Sequence, residues 1–309
     1  MDRCQSSKDT HANKNVCKFY RIADFDIKLC YNDRDNDCSA LLPSLNNFKS
    51  NMVGDKVLLS FNVDGTIEPT KKDNKKRIDV FDTGNGDIVV DEIEAGGYQL
   101  IIKDTYGRSC CLLQTNKDFS SFRCALNGGV LMRSFGLNNA LMIAFALRSS
   151  FYDTLLIHAS CVRHKGYAYA FTAESGTGKS THTGLWLRHI EGCDLLNDDN
   201  PIIRIIDNMP YVYGSPWSGK TPCYRNIKAK LGAITVIDRS LENSIERLSP
   251  IESFTRILPA CSSMKWDKTI FKNTYDSVIK LIEYSSSNYI LHCRPDKEAA
   301  FICHQTIAQ

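Results

Sequence analysis

The stretch Ala173-Glu174-Ser175-Gly176-Thr177-Gly178-Lys179-Ser180 constrains this chain more than any other, because its flanks read as a strand before it and a helix after it. Residues 166–172 (GYAYAFT) alternate small and aromatic side chains as a buried strand does, and residues 181–190 (THTGLWLRHI) read as one amphipathic helix. Glycines at 176 and 178 let successive backbone N–H groups turn inward on a phosphate, and a helix N-terminus adds its partial positive charge. In a loop of this kind, a P-loop, Lys179 neutralises the β- and γ-phosphates and the Ser180 hydroxyl ligands Mg²⁺. The expected ligand is a nucleotide, with ATP and Mg²⁺ as the cofactors.

A second stretch, Gly214-Ser215-Pro216-Trp217-Ser218-Gly219-Lys220-Thr221, fits the same pattern more literally, yet its context argues against a cradle. Pro222 follows at once, Pro216 stiffens the loop, and residues 223–230 have no apolar 3.6-residue period on which a helix could pack. The expectation is a mobile segment spanning 214–226 whose Lys220 or Arg225 closes over bound phosphate.

With 309 residues, 43% of them hydrophobic and 10% aromatic, the chain can bury substantial cores and is expected to hold two domains or one large one. Its net charge of +3 is small and scattered, with no basic stripe interleaved with aromatics, so no nucleic-acid partner is expected. The densest basic cluster, Lys71-Lys72-Asp73-Asn74-Lys75-Lys76-Arg77, reads as an exposed loop. Thirteen cysteines are an odd number, include an adjacent pair at 110 and 111, and form no C-x-x-C. Several lie in apolar runs, which suits reduced, buried thiols in a cytoplasmic protein, and no zinc spacing occurs. Residues 1–15 are polar and read as frayed rather than as a signal peptide. The longest apolar stretch, 140–147, falls far short of a membrane span, so no membrane partner is expected, and self-association is left open.

Residues 1–130 read as a β-rich module, with β-branched and aromatic runs at 19–31, 56–63, 87–93 and 98–103 and glycine turns at 84–87 and 96–97. An apolar helix over 136–147 leads into residues 131–309, where strands and helices alternate. Strands are expected at 154–162, 166–173, 193–197, 201–206, 211–213, 231–237 and 289–293. Ser249-Pro250-Ile251-Glu252 reads as a capped helix start, and further helices are expected near 268–284 and 296–306. Asp198 and Asp199 end a short strand after the P-loop helix, where strand termini meet ligand in α/β sheets. One of the two can hold Mg²⁺ and the other can take a proton from an attacking hydroxyl. His158, alone in an apolar strand, reads by itself as a core residue.

Taken together, Ile157-His158-Ala159-Ser160-Cys161-Val162, then Gly166, then Ala173 to Ser180, then Leu196-Asn197-Asp198-Asp199 resembles the catalytic half of HPr kinase/phosphorylase. In that family a Met-His-Gly strand, a P-loop and an Ala-Asp-Asp motif follow in this order, on a nucleotide-binding core shared with phosphoenolpyruvate carboxykinase. The resemblance covers roughly residues 150–240. It implies an α/β fold with an HPr kinase/phosphoenolpyruvate carboxykinase-like P-loop core behind a β-rich N-terminal module. It also implies that Lys179 and Ser180 bind phosphate and Mg²⁺, that Asp198 is the base, that Asp199 supports the metal, and that His158 touches the transferring phosphate.

Two departures stand out: Thr181 follows the P-loop serine where the bacterial kinases have Glu, and the family's later glycine-rich signature is replaced by 214–226. No carboxykinase set of substrate arginines and manganese ligands is present. The chain therefore resembles a divergent, stand-alone bacterial member of the group. The expected phosphate-binding set is Ser175, Gly176, Thr177, Gly178, Lys179, Ser180 and Thr181, joined by Lys220 and Arg225; Asp198, His158 and Lys179 are the catalytic candidates, and Ser180 and Asp199 the metal ligands. The expected activity is ATP-dependent phosphorylation of a hydroxyl on a protein, a peptide or a small serine-like molecule. The competing expectation is a nucleotide-binding regulatory or assembly module without turnover.

Overall fold

The computed structural model describes residues 15–51, 56–174, 176–285 and 287–308. The frayed tail expected over 1–15 falls almost wholly outside these residues, and Ser175 of the expected phosphate loop falls outside them too. Helices and strands mix throughout, in two large sheets, so the α/β character expected from the sequence holds at that level.

The first sheet contains β1 (Val16–Ile22), β2 (Phe25–Tyr31), β3 (Lys49–Ser50), β4 (Leu59–Val63), β5 (Lys75–Asp82), β6 (Asp87–Ile93), β7 (Tyr98–Lys103), β8 (Ser109–Thr115) and β9 (Ser121–Leu126). They run in the order β3-β1-β2-β4-β9-β8-β7-β6-β5, with the short helix α1 (Cys38–Leu41) between β2 and β3 in the chain. The run 19–31, expected as one strand, is broken by a tight turn at Ala23-Asp24, both with positive φ (50° and 61°). Ala-Asp lacks the Asn-Gly signature of such hairpins, which is why the turn is not legible in the sequence. The hairpin register sets Cys17 opposite Cys30, and the two are joined by a disulfide. The expectation of reduced thiols is thus corrected for this pair, while the other ten described cysteines are free and nine of them buried. Burial pushes the Cys261 thiol up to about 12, so it stays protonated and packs as a small apolar group.

The basic cluster at 71–77 is only partly a loop. Lys75 and Arg77 lie in β5 and converge on the carboxylate of Asp91, which is 1% exposed and also accepts from Gln99. A carboxylate buried this deeply requires such partners, and pairing across β5 and β6 supplies them.

Helix α2 (Val130–Ser149) packs its Leu137, Leu141, Ala144 and Phe145 side against the first sheet. With the turn that follows, it runs Val130–Tyr152, longer than the apolar stretch suggested, and by length and composition it could cross a membrane. Here its inner face is instead part of the core, with all four of those residues 0% exposed.

The second sheet contains β10 (Thr154–Leu156), β11 (Ala159–His164), β12 (Tyr167–Thr172), β13 (Asp194–Asp199), β14 (Ile202–Ile206), β15 (Met209–Tyr213), β16 (Lys228–Arg239), β17 (Ser244–Arg247) and β18 (Asn288–Cys293). Its main path is β10-β14-β15-β16-β12-β11-β13, and the far half of β16 pairs with β18, which pairs with β17. Helices α3 (Lys179–His189), α4 (Pro250–Ile257), α5 (Lys268–Ser285) and α6 (Lys297–Ile307) cover it. The alternation seen in 166–172 sorts the two faces. Tyr169 and Phe171 pack with Trp186 of α3 and Ala299 and Cys303 of α6, whereas Ala168 and Ala170 pack with Ile257 of α4 and Val278 and Leu281 of α5. The expected capping box closes on both sides, with Ser249 N donating to Glu252 and Glu252 N donating to the Ser249 hydroxyl.

The two halves share a core. Leu156, Ile202, Tyr213, Trp217, Met264 and Ile270 join the cluster built on the first sheet, and Phe81 stacks on Trp266 at 4.3 Å. Polar ties reinforce the junction: Tyr98 donates to Asp267, and Asp24 accepts from Tyr213 and Lys228.

Candidate functional site

β12 and β13 both run antiparallel to β11, which lies between them, so their C-terminal ends share one edge of the sheet. At that edge the loop 173–178 leaves β12 for α3, β13 ends in Asp198 and Asp199, and β11 begins just after His158. Gly176 and Gly178 have φ of +79° and +134°, in the region that disfavours any side chain, and a Cβ on either would face open space. Gly178 is the N-cap of α3 and supplies no side-chain cap, so the leading N–H groups of an eleven-residue helix are left for an external acceptor.

Lys179 is 8% exposed. Its Nζ donates to the Ala173 carbonyl at 3.0 Å and has no carboxylate partner among the described residues. Burial outweighs the pull of Asp199 and Asp198 and holds its pKa below the ordinary lysine value. A buried ammonium without a counter-ion is costly, and an anion resting on the helix N-terminus would relieve that cost.

The carboxylates are held differently. Asp198, 3% exposed, accepts from the Ser160 hydroxyl at 2.9 Å and from Thr221 N at 3.1 Å, and Ser160 in turn accepts from Thr183 of α3. Asp199 is more open: its Oδ1 lies 3.1 Å from His158 Nδ1, and its Oδ2 accepts from the Asn200 amide at 2.6 Å. His158 is therefore no core residue; its side chain is 42% exposed and stands beside the acidic pair. The site brings His158, Gly176, Gly178, Lys179, Ser180, Thr181, Asp198, Asp199 and Lys220 onto one cleft of about 870 Å³.

Two expectations are corrected here. Arg225 does not reach the cleft, because its guanidinium donates to the Leu195 carbonyl and to Asp194 at the other end of β13. Burial raises the Asp194 pKa, but Arg163 and Arg225 outweigh it and hold the carboxyl below its ordinary value. Nor does the segment 214–226 hang free as a lid. Ser215 is buried and bonded to Asn197, Asn200 and Trp217; Trp217 packs on Phe145; Gly219 N donates to the Asp198 carbonyl at 2.6 Å. Only residues 219–222 form an exposed run next to the cleft, and Lys220 is the cation on it.

No protein-family model matches this chain, and no curated protein matches it.

Thr177 does not line the main cleft; it borders a hollow of about 480 Å³ lined also by His182, Leu185, Ile237, Arg239 and Arg294, and another of about 470 Å³ lined also by His158, Glu174, Asp238 and Arg256. Arg239, at the end of β16, donates to the Thr177 and Gly176 carbonyls and clamps the loop from behind. Sequence reasoning missed Arg239, Ser160, Thr183 and Asn200. Arg239, Ser160 and Thr183 each act through a partner far along the chain, whereas Asn200 directly follows the acidic pair and holds the adjacent Asp199. Among the described residues no three His, Cys, Asp or Glu side chains gather as a metal cage. A divalent ion held by Ser180 and Asp199 would thus complete its shell with water and phosphate oxygens, as Mg²⁺ commonly does.

Proposed function

We propose that the protein is an ATP-dependent phosphotransferase that phosphorylates a hydroxyl, on a P-loop core like that of HPr kinase and phosphoenolpyruvate carboxykinase. The carrying observation is the buried, carboxylate-free Lys179 ammonium at an uncapped helix N-terminus, in the same cleft as Asp198 and the His158–Asp199 pair. The residues fit a Mg²⁺-bound triphosphate. The backbone of 176–178 and Lys179 would hold the phosphates, Ser180 and Asp199 the metal, and the hollow by Arg239 gives room for the rest of the nucleotide. When bound, the metal supplies charge neutralisation at the transferring phosphoryl group.

In the proposed reaction the acceptor oxygen bonds to the γ-phosphorus, and the bond from that phosphorus to the β–γ bridging oxygen breaks, its electron pair leaving with ADP. The hydroxyl proton passes to a carboxylate. Asp198 is the base in this reading, buried and oriented by Ser160; His158 and Lys220 stand where they can meet negative charge on the transferring group.

One observation favours a second reading, a nucleotide-binding module without turnover: both Asp198 oxygens already accept hydrogen bonds inside the protein. Calorimetry with Mg-ATP, followed by transfer of labelled γ-phosphate to hydroxyl acceptors, separates the two. Binding with no transfer and no hydrolysis supports the module; absence of binding removes both.

A further inference from the structure

The cleft has two walls of unlike chemistry. One carries the phosphate loop, Lys220 and the carboxylates; the other comes from the N-terminal part of the chain and from α2. On α2, Phe135, Asn138, Asn139 and Met142 follow the i, i+3, i+4, i+7 spacing of a single helix face, and all four line the cleft. Asparagine is a poor helix former, so two in succession at the middle of a largely apolar helix ask for a reason. The Asn139 amide nitrogen donates to the Phe135 carbonyl, leaving its oxygen as an acceptor, and the Asn138 side chain makes no hydrogen bond with any described residue. Above them, Asn85 from the β5–β6 turn and Tyr106 from the β7–β8 turn reach the same space, Tyr106 with 82% exposure. The charged group on this wall, Asp104, is neutralised by Arg108 at 2.7 Å.

We propose that this wall binds the acceptor, and that the acceptor is an uncharged, hydroxyl-bearing group flanked by amides, entering as a small molecule or as the end of an extended chain. The proposal rests on the phosphotransferase reading and names its substrate class. Amide side chains offer both donors and acceptors to a neutral amide or hydroxyl, and the wall presents no unpaired cation for a carboxylate or phosphate. A cleft of about 870 Å³ can admit the triphosphate and still leave space along this wall for a small acceptor or the end of a chain. Phe135 and Met142 of this wall pack against the core that the two halves share, so the wall is built into the fold.

The test uses the full chain with Mg-ATP labelled in the γ-phosphate and three probes: N-acetylserinamide, a capped peptide ending in serinamide, and a disulfide-stapled folded protein with surface serines. The expected result is transfer to one or both small probes and not to the folded protein, and the faster of the two identifies the source. Tyr106→Ala and Asn138→Ala should each raise the acceptor KM about tenfold, the loss of roughly one hydrogen bond or packing contact, with Mg-ATP affinity unchanged. Tyr106 is exposed enough that its removal leaves the fold intact. Faster transfer to the folded protein overturns the proposal, as does an unchanged acceptor KM in both variants. Normal Mg-ATP binding with hydrolysis, or with transfer to another hydroxyl acceptor, but with no transfer to either small probe overturns the acceptor assignment alone, whereas failure to bind Mg-ATP, or binding with neither hydrolysis nor transfer to any acceptor, overturns the phosphotransferase reading beneath it.

Discussion

Residues 173–180 and 214–221 share the spacing Gly or Ala, four residues, Gly, Lys, then Ser or Thr, and the molecule uses them in opposite ways. In the first, glycine is needed for conformation: Gly176 and Gly178 have positive φ and open space around them. In the second, glycine is needed for close approach: a Cβ on Gly214 would lie 2.1 Å from the Arg225 carbonyl oxygen, and one on Gly219 2.6 Å from that of Asp198. An open loop on a helix N-terminus can receive a ligand, whereas a loop pressed against backbone can only brace what lies beside it. Here the braced part is the end of β13, whose Asp198 is gripped at its carbonyl by Gly219 N and at its carboxylate by Thr221 N.

The strongest test of this contrast exchanges the two lysines. Lys179→Ala should weaken Mg-ATP by about 3 kcal/mol, a hundredfold or more, while Lys220→Ala should change it less than about threefold and act mainly on turnover. Equal losses in calorimetry would dissolve the distinction between the loops. Next in size, Asp198→Asn keeps the shape that the second segment braces but removes a base. Phosphate transfer should then fall about a hundredfold with nucleotide affinity nearly unchanged. Retained activity would shift the role to the more open His158–Asp199 pair.

The glycines give a stability contrast. Gly214→Ala forces a side chain into backbone and should cost about 3 kcal/mol, whereas Gly176→Ala carries only left-handed strain of about 1–2 kcal/mol. Urea midpoints in the reverse order would mean that the packing around 214 is looser than described. The helix behind the first loop adds a pH signature. Burial pushes the His182 pKa from 6.5 down to about 4, and its Nε2 accepts from Trp186. The unfolded chain takes up this proton first, so the contribution is full above about pH 6.5 and is lost as the pH falls toward about 4. A His182→Gln variant should flatten the melting temperature across that window; an identical slope would show that other groups set it. The smallest effect belongs to Arg225→Ala. Its half-exposed pairing with Asp194 should cost under about 1 kcal/mol, with turnover intact, where the sequence-based expectation has turnover fall.

What could be read directly from the sequence was local. The strand, loop and helix around 173–190, the Ser249 capping box and the helix near 296–306 are each encoded locally, by side-chain period and capping chemistry. The rejection of 214–221 as a second cradle belongs with them, since it needed only the absence of a following helix. Sheet order decided the rest. Ser160 meets Asp198 because β11 lies beside β13, and Arg225 finds Asp194 rather than phosphate because it emerges at the far end of that strand. Asn138 and Tyr106 line the same cleft as Gly176, Gly178 and Lys179 because two sheets share one core. These partners are separated by some thirty residues or more, and no periodicity spans such distances; only the packing of whole sheets brings them together.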